Sequence, residues 1–135
     1  MALPCRGSGC SLRTWPLHRG NTTNLGSRGL DDPEFRRIVD QDLADGQHRN
    51  LDPVGRPEFF TTAYFHTPEG LAAEIERAGF SGTTVYGVEG PGWPLRQEWA
   101  DPQRREQILF AARSVETEPS LIGFSDHLIA VATRP

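Results

Sequence analysis

A chain of 135 residues has room for one small domain. Its net charge of −4 is unevenly spread: residues 1–30 hold Arg6, Arg13, Arg19 and Arg28 and no acid, so all 18 acids fall in the body. An acidic body excludes nucleic acid, where phosphate contacts need a basic face.

No apolar run approaches a membrane span, and the head has no hydrophobic signal-peptide core, which leaves a soluble, cytoplasmic protein as the expectation. Cys5 and Cys10 are spaced C-x4-C with no second cysteine or histidine pair, so they read as unpaired thiols rather than a zinc site or a disulfide framework.

Residues 1–30 are rich in Gly, Ser, Asn and Arg without periodicity and read as a disordered head. Order is expected from Asp31-Asp32-Pro33-Glu34, where an acid at the N-cap, Pro at the first helical position and Glu in the first turn start a helix. Phe35, Ile38, Val39 and Leu43 form its apolar stripe and Gly46 stops it. Residues 46–57 read as a polar loop.

Thr67 and Pro68 open a second helix with Leu71, Ala72, Ile75 and Ala78 on its buried face. Gly79 then takes the left-handed stop position and Phe80 folds back on the last turn. Thr83 to Glu89 reads as a strand ended by Gly90-Pro91-Gly92. Asp101 and Pro102 start a third helix, with Ile108, Leu109, Ala112 and Val115 inward, and Pro119 bars its continuation. Asp126 to Thr133 closes the chain as a nearly unbroken apolar run, the pattern of a strand in the interior of a sheet. Only Thr83–Glu89 offers itself as a neighbour, so the last strand's other side is expected to be open to self-association.

Read in order, FTTAYFH, ERAGF, VEGPGW, EPSLIG and HLIAV resemble the C-terminal part of a class I S-adenosylmethionine-dependent methyltransferase of the methyltransferase-11-like kind. The resemblance covers about Asp31 to Pro135. It implies a cap helix, a helix, the family's sixth strand, a linking helix and an antiparallel seventh strand inserted between the fifth and sixth. The expected fold is therefore α/β by ancestry, a partial Rossmann-like domain of three helices on one antiparallel strand pair, residues 31–135, behind a disordered head unrelated to the family, residues 1–30.

That family holds its cofactor with a Gly-rich turn after the first strand, an acid ending the second and a loop after the fourth. None has a counterpart in these residues. Gly87-Val88-Glu89-Gly90-Pro91-Gly92 follows a strand, but Pro91 removes a backbone donor and Trp93-Pro94 starts no helix. S-adenosylmethionine thus belongs to the parent family, and no cofactor-binding or catalytic residue is assigned.

The family's cap and the end of its sixth strand cover a small-molecule acceptor. The resemblance therefore implies a substrate pocket among His48, Arg49, Tyr64, His66, Glu89 and Trp93. An imidazole there could take a proton from an acceptor hydroxyl or amine, and Trp93 could wall the pocket. The structural alternatives are a helix-capping role for His66, core packing for Tyr64, a corner anchor at Trp93, a solvated Glu89 and a hydrogen-bonded structural His127.

Ser125-Asp126-His127 does not make a triad, which needs its members from separate elements. The remaining histidines lack metal-ligand spacing. Two expectations of different class result. The chain is a methyltransferase-family polypeptide, truncated and inactive as it stands, or a non-enzymatic remnant that binds a partner through an exposed strand edge.

Overall fold

The computed structural model describes residues 9–16 as backbone and residues 29–135 with side chains, those of Trp93 and Arg96 excepted. Disorder expected at residues 1–8 and 17–28, and the state of the Cys5 thiol, lie outside the described residues.

The chain is mixed α/β. Strand β1, Gly9–Pro16, precedes helix α1, Pro33–Asp45; strands β2, Gln47–His48, and β3, Ala63–His66, lead to α2, Pro68–Arg77. Strand β4, Ser81–Gly87, is followed by a 3₁₀ segment, Gly90–Ala100, then α3, Pro102–Val115, and β5, Leu128–Thr133. The five strands form a sheet in the order β2-β3-β1-β5-β4.

Local chemistry accounts for each helix start. Asp32 caps α1 by accepting from the backbone N–H groups of Glu34 and Phe35, with Pro33 at the first position. Thr67 does the same for α2 through the Gly70 N–H at 3.0 Å, and Asp101 caps α3 through those of Gln103 and Arg104. α2 ends in a Schellman motif: Phe80 N–H reaches the Ile75 carbonyl, Gly79 N–H reaches that of Glu76, and Gly79 has φ +89°.

The sheet corrects three expectations together. Residues 9–16, expected to be disordered, form β1 and pair antiparallel with β5 from Gly9↔Thr133 to Thr14↔Leu128. β4 pairs antiparallel with the opposite side of β5, from Ser81↔Thr133 to Gly87↔Leu128. The last strand is interior, as its apolar run requires, but it has two neighbours where the sequence offered one. It is not the open edge expected to self-associate. β1 in turn lies parallel to β3, with Trp15↔Phe65 and Pro16↔His66, so the sheet is larger than an antiparallel pair.

Helices cover both faces. Leu71 and Ile75 of α2 pack with Leu128, Ala130 and Ala132 of β5 and with Ile122, and Phe80 and Val85 border this cluster. Phe65 and His66 are adjacent in β3 and so point to opposite faces. His66 meets Glu74 of α2, whereas Phe65 faces the His48 ring beside α1 at a centroid distance of 5.4 Å. On that second face Phe35, Ile38 and Val39 of α1 pack with Phe59. Leu43, expected on the buried stripe, is exposed, and Asp42 takes its place inside. Arg56 staples the cluster from outside, bonded to Asp32, Glu34 and Glu58 and lying 3.8 Å over the Phe59 ring.

Candidate functional site

β1, β3 and β4 run in the same direction and β5 runs against them, so Pro16, His66 and Gly87 reach one end of the sheet, where β5 begins. In open α/β sheets this carboxyl end is where ligands bind. One of the expected residues, Glu89, and one unexpected partner, His127, build the clearest constellation there.

Glu89 follows β4, and its carboxylate is held twice by His127, immediately before β5. Oε2 accepts the His127 backbone N–H at 2.9 Å and Oε1 accepts from the ring Nδ1 at 2.5 Å. Val88 N–H returns a bond to the His127 carbonyl at 3.0 Å. Both side chains are only 17% exposed, so the solvated Glu89 of the sequence alternatives is not what forms. The corner is tight behind them: Ser125 Oγ accepts the Gly90 N–H at 2.8 Å, and a Cβ at Gly87 would stand 2.5 Å from that hydroxyl.

Glu89 also forms one wall of a cavity of about 290 Å³ between the 3₁₀ segment and α3, lined otherwise by Val88, Gly92, Trp99, Ile108, Leu109 and Ala112. Ile108 and Ala112 are one helical turn apart and buried, and Trp99 and Leu109 are partly exposed. The side chain of Trp93, expected as a pocket wall, lies outside the described ones.

His66 lies at the same end of the sheet. Its Nε2 meets the Glu74 carboxylate of α2 at 2.8 Å, and Tyr64 stands edge-on at 4.7 Å with an interplanar angle of 83°. Thr67 caps α2 with its own hydroxyl, so His66 is not needed for that task. Two strands separate β3 from β4, so the Tyr64–His66 pair and Glu89 are about 14 Å apart across the sheet.

No family model, curated protein or solved structure matches this chain. What the site can do therefore rests on its own geometry.

His48 and Arg49 are not part of it. His48, expected in the pocket, is 3% exposed and sits among Phe35, Phe60 and Phe65. Its Nδ1 meets Asp42 Oδ2 at 2.8 Å and its Nε2 donates to the Phe59 carbonyl at 2.7 Å. Burial pushes the imidazole pKa down, but the Asp42 hydrogen bond, the Phe59 carbonyl and the Asp42 charge together outweigh it and hold the pKa above the ordinary histidine value. His48 is thus a structural histidine tying α1 to β2, with its protonated form favoured by these partners. Asp42 Oδ1 remains buried without a hydrogen-bond partner. Arg49 points outward to Asp45 at 2.9 Å, an exposed pair that ties the residue after β2 to the last residue of α1.

The six candidates therefore divide: Glu89 at the cavity, Tyr64 and His66 across the sheet, His48 in the core, Arg49 on the surface, and Trp93 with its side chain outside the described ones. Sequence reasoning missed the partnership of His127 with Glu89 and the walls Trp99, Ile108, Leu109 and Ala112. Only the i, i+4 spacing of Ile108 and Ala112 signalled an inward face; nothing local joined residues 38 positions apart.

Proposed function

We propose that this chain carries the acceptor-side half of a class I S-adenosylmethionine-dependent methyltransferase domain. One observation supports the reading above others: β5 runs antiparallel between β1 and β4, which are parallel to each other. A final antiparallel strand slotted between two parallel ones is the arrangement that the resemblance implies for the seventh strand. On this reading β4 stands for the sixth strand and β1 takes the place of the fifth.

Methyl transfer requires an acceptor lone pair in line with the sulfonium methyl, in a site that excludes water, and a group to take the acceptor's proton. The cavity beside Glu89 would supply the dry acceptor wall, with His127 fixing the carboxylate's orientation. The Tyr64–His66–Glu74 group would stand on the far side of the cleft. Among the described residues there is no Gly-rich turn or acid-ended strand for the cofactor, so the chain on its own is expected to be silent in methyl transfer.

Isothermal titration of the purified chain with S-adenosylmethionine checks the second point: no saturable heat is expected, and micromolar binding would overturn it. The first point is checked by fusing the first four strands of a class I methyltransferase ahead of Gly9. The chimera should bind the cofactor with micromolar Kd and protect the amides of residues 128–133 from exchange. A chimera that binds cofactor while this chain stays unprotected would sink the reading. The alternative of a strand-edge interaction module loses its premise at β5, which is paired on both sides.

A further inference from the structure

The cavity beside Glu89 has a size and a polarity that together select a ligand. At about 290 Å³ it is roughly twice the 150 Å³ cavity that accepts a benzene ring, so it accommodates a two-ring body. Gly92 keeps that room open, because a Cβ there would stand 2.6 Å from Ile108 Cγ2. Trp99 supplies an aromatic wall that is 46% exposed, consistent with a position at the mouth.

Polarity narrows the guest further. Among the described side chains Glu89 is the one ionisable group on the wall, and His127 fixes it through both oxygens. Each carboxylate oxygen has a second lone pair and nothing to donate. An anionic guest would meet like charge, and a hydrocarbon would leave the carboxylate desolvated without a new partner. A primary ammonium group adds a charge-assisted hydrogen bond to Glu89.

We infer that this cavity binds a small two-ring aromatic amine, with the ammonium group against Glu89 and the rings among Trp99, Ile108 and Leu109. The inference rests on the methyltransferase reading only in making such an amine the methyl acceptor. Binding itself needs no cofactor.

The test is calorimetric titration of the full chain with 2-(2-naphthyl)ethylamine, with the alcohol that replaces its amine by hydroxyl, and with the carboxylate of the same length. The amine should bind about tenfold more tightly than the alcohol, and the carboxylate should not bind. Glu89→Gln should bring amine and alcohol to similar affinity, while Trp99→Ala should weaken both. Because Glu89→Gln also removes a bond to His127, a second readout uses the unaltered chain. The amine should shift the Trp99 indole N–H resonance and the Leu109 methyl resonances. Equal affinity for amine and alcohol, no heat at millimolar ligand, or an unmoved Trp99 signal would overturn the inference. So would a dimer in solution that shields Trp99 from ligand. Cofactor binding by the chain alone would instead overturn the half-domain reading and leave the amine site standing.

Discussion

His48 shows how a residue picked for its chemistry can be spent on architecture. Its two ring nitrogens are both committed, one to Asp42 and one to the Phe59 carbonyl, inside a shell of phenylalanines. Its pKa is raised in the folded chain, so folding favours the proton. The stability this contributes is fully present below the unfolded histidine value and is lost as pH rises through the higher folded value. Denaturant unfolding across pH 5 to 9 should therefore show stability falling as pH rises above the ordinary histidine value. Asp42→Asn should remove that slope and cost about 3 kcal/mol, because a buried imidazolium loses its counter-charge. A variant that keeps the alkaline slope would assign it to another group.

At the level of elements, the helices and their ends were legible because their determinants are local. Asp32, Thr67 and Asp101 each precede a proline and each caps in the structure. Gly79 is a clean test of one such determinant: its φ is +89° and a Cβ there would touch nothing within 4 Å. Gly79→Ala should therefore cost about 1 kcal/mol from backbone conformation alone, read as a lower denaturant midpoint with an unchanged m-value. Gly92→Ala inverts the cause. Its conformation suits any residue but Ile108 blocks the methyl, so the loss should be relieved by Ile108→Val, whereas no neighbouring substitution should rescue Gly79→Ala. β1 was not legible. GCSLRTWP has one β-branched residue and alternates only from Cys10 to Arg13, and its strand state comes from the β5 and β3 backbones on either side rather than from its own propensity. The Glu89–His127 clamp was illegible for a related reason. Each residue was noticed, but only the β4–β5 register brings them together.

For the whole molecule, the decisive relation is between the head and the tail of the chain. β5 reads LIAVAT, and Leu128, Ala130 and Ala132 are almost fully buried against α2, while Val131 on the other face is 43% exposed. Such a strand is stable only where both its edges are hydrogen-bonded, because an apolar edge recruits other chains. β1 supplies one edge and β4 the other. Hydrogen exchange should then find the amides of residues 128–133 uniformly slow, whereas those of β4, at the end of the sheet order, should alternate between slow and fast. Deleting residues 1–16 removes β1 and leaves β5 bonded on one side only. The shortened chain should show alternating exchange in β5 and sediment as concentration-dependent oligomers, where the full chain should sediment as a monomer under the same conditions. If the deletion instead left β5 exchange unchanged and the chain monomeric, the β1–β5 pairing would contribute nothing. The fifth-strand place assigned to β1, and with it the topology behind the methyltransferase reading, would then have no support.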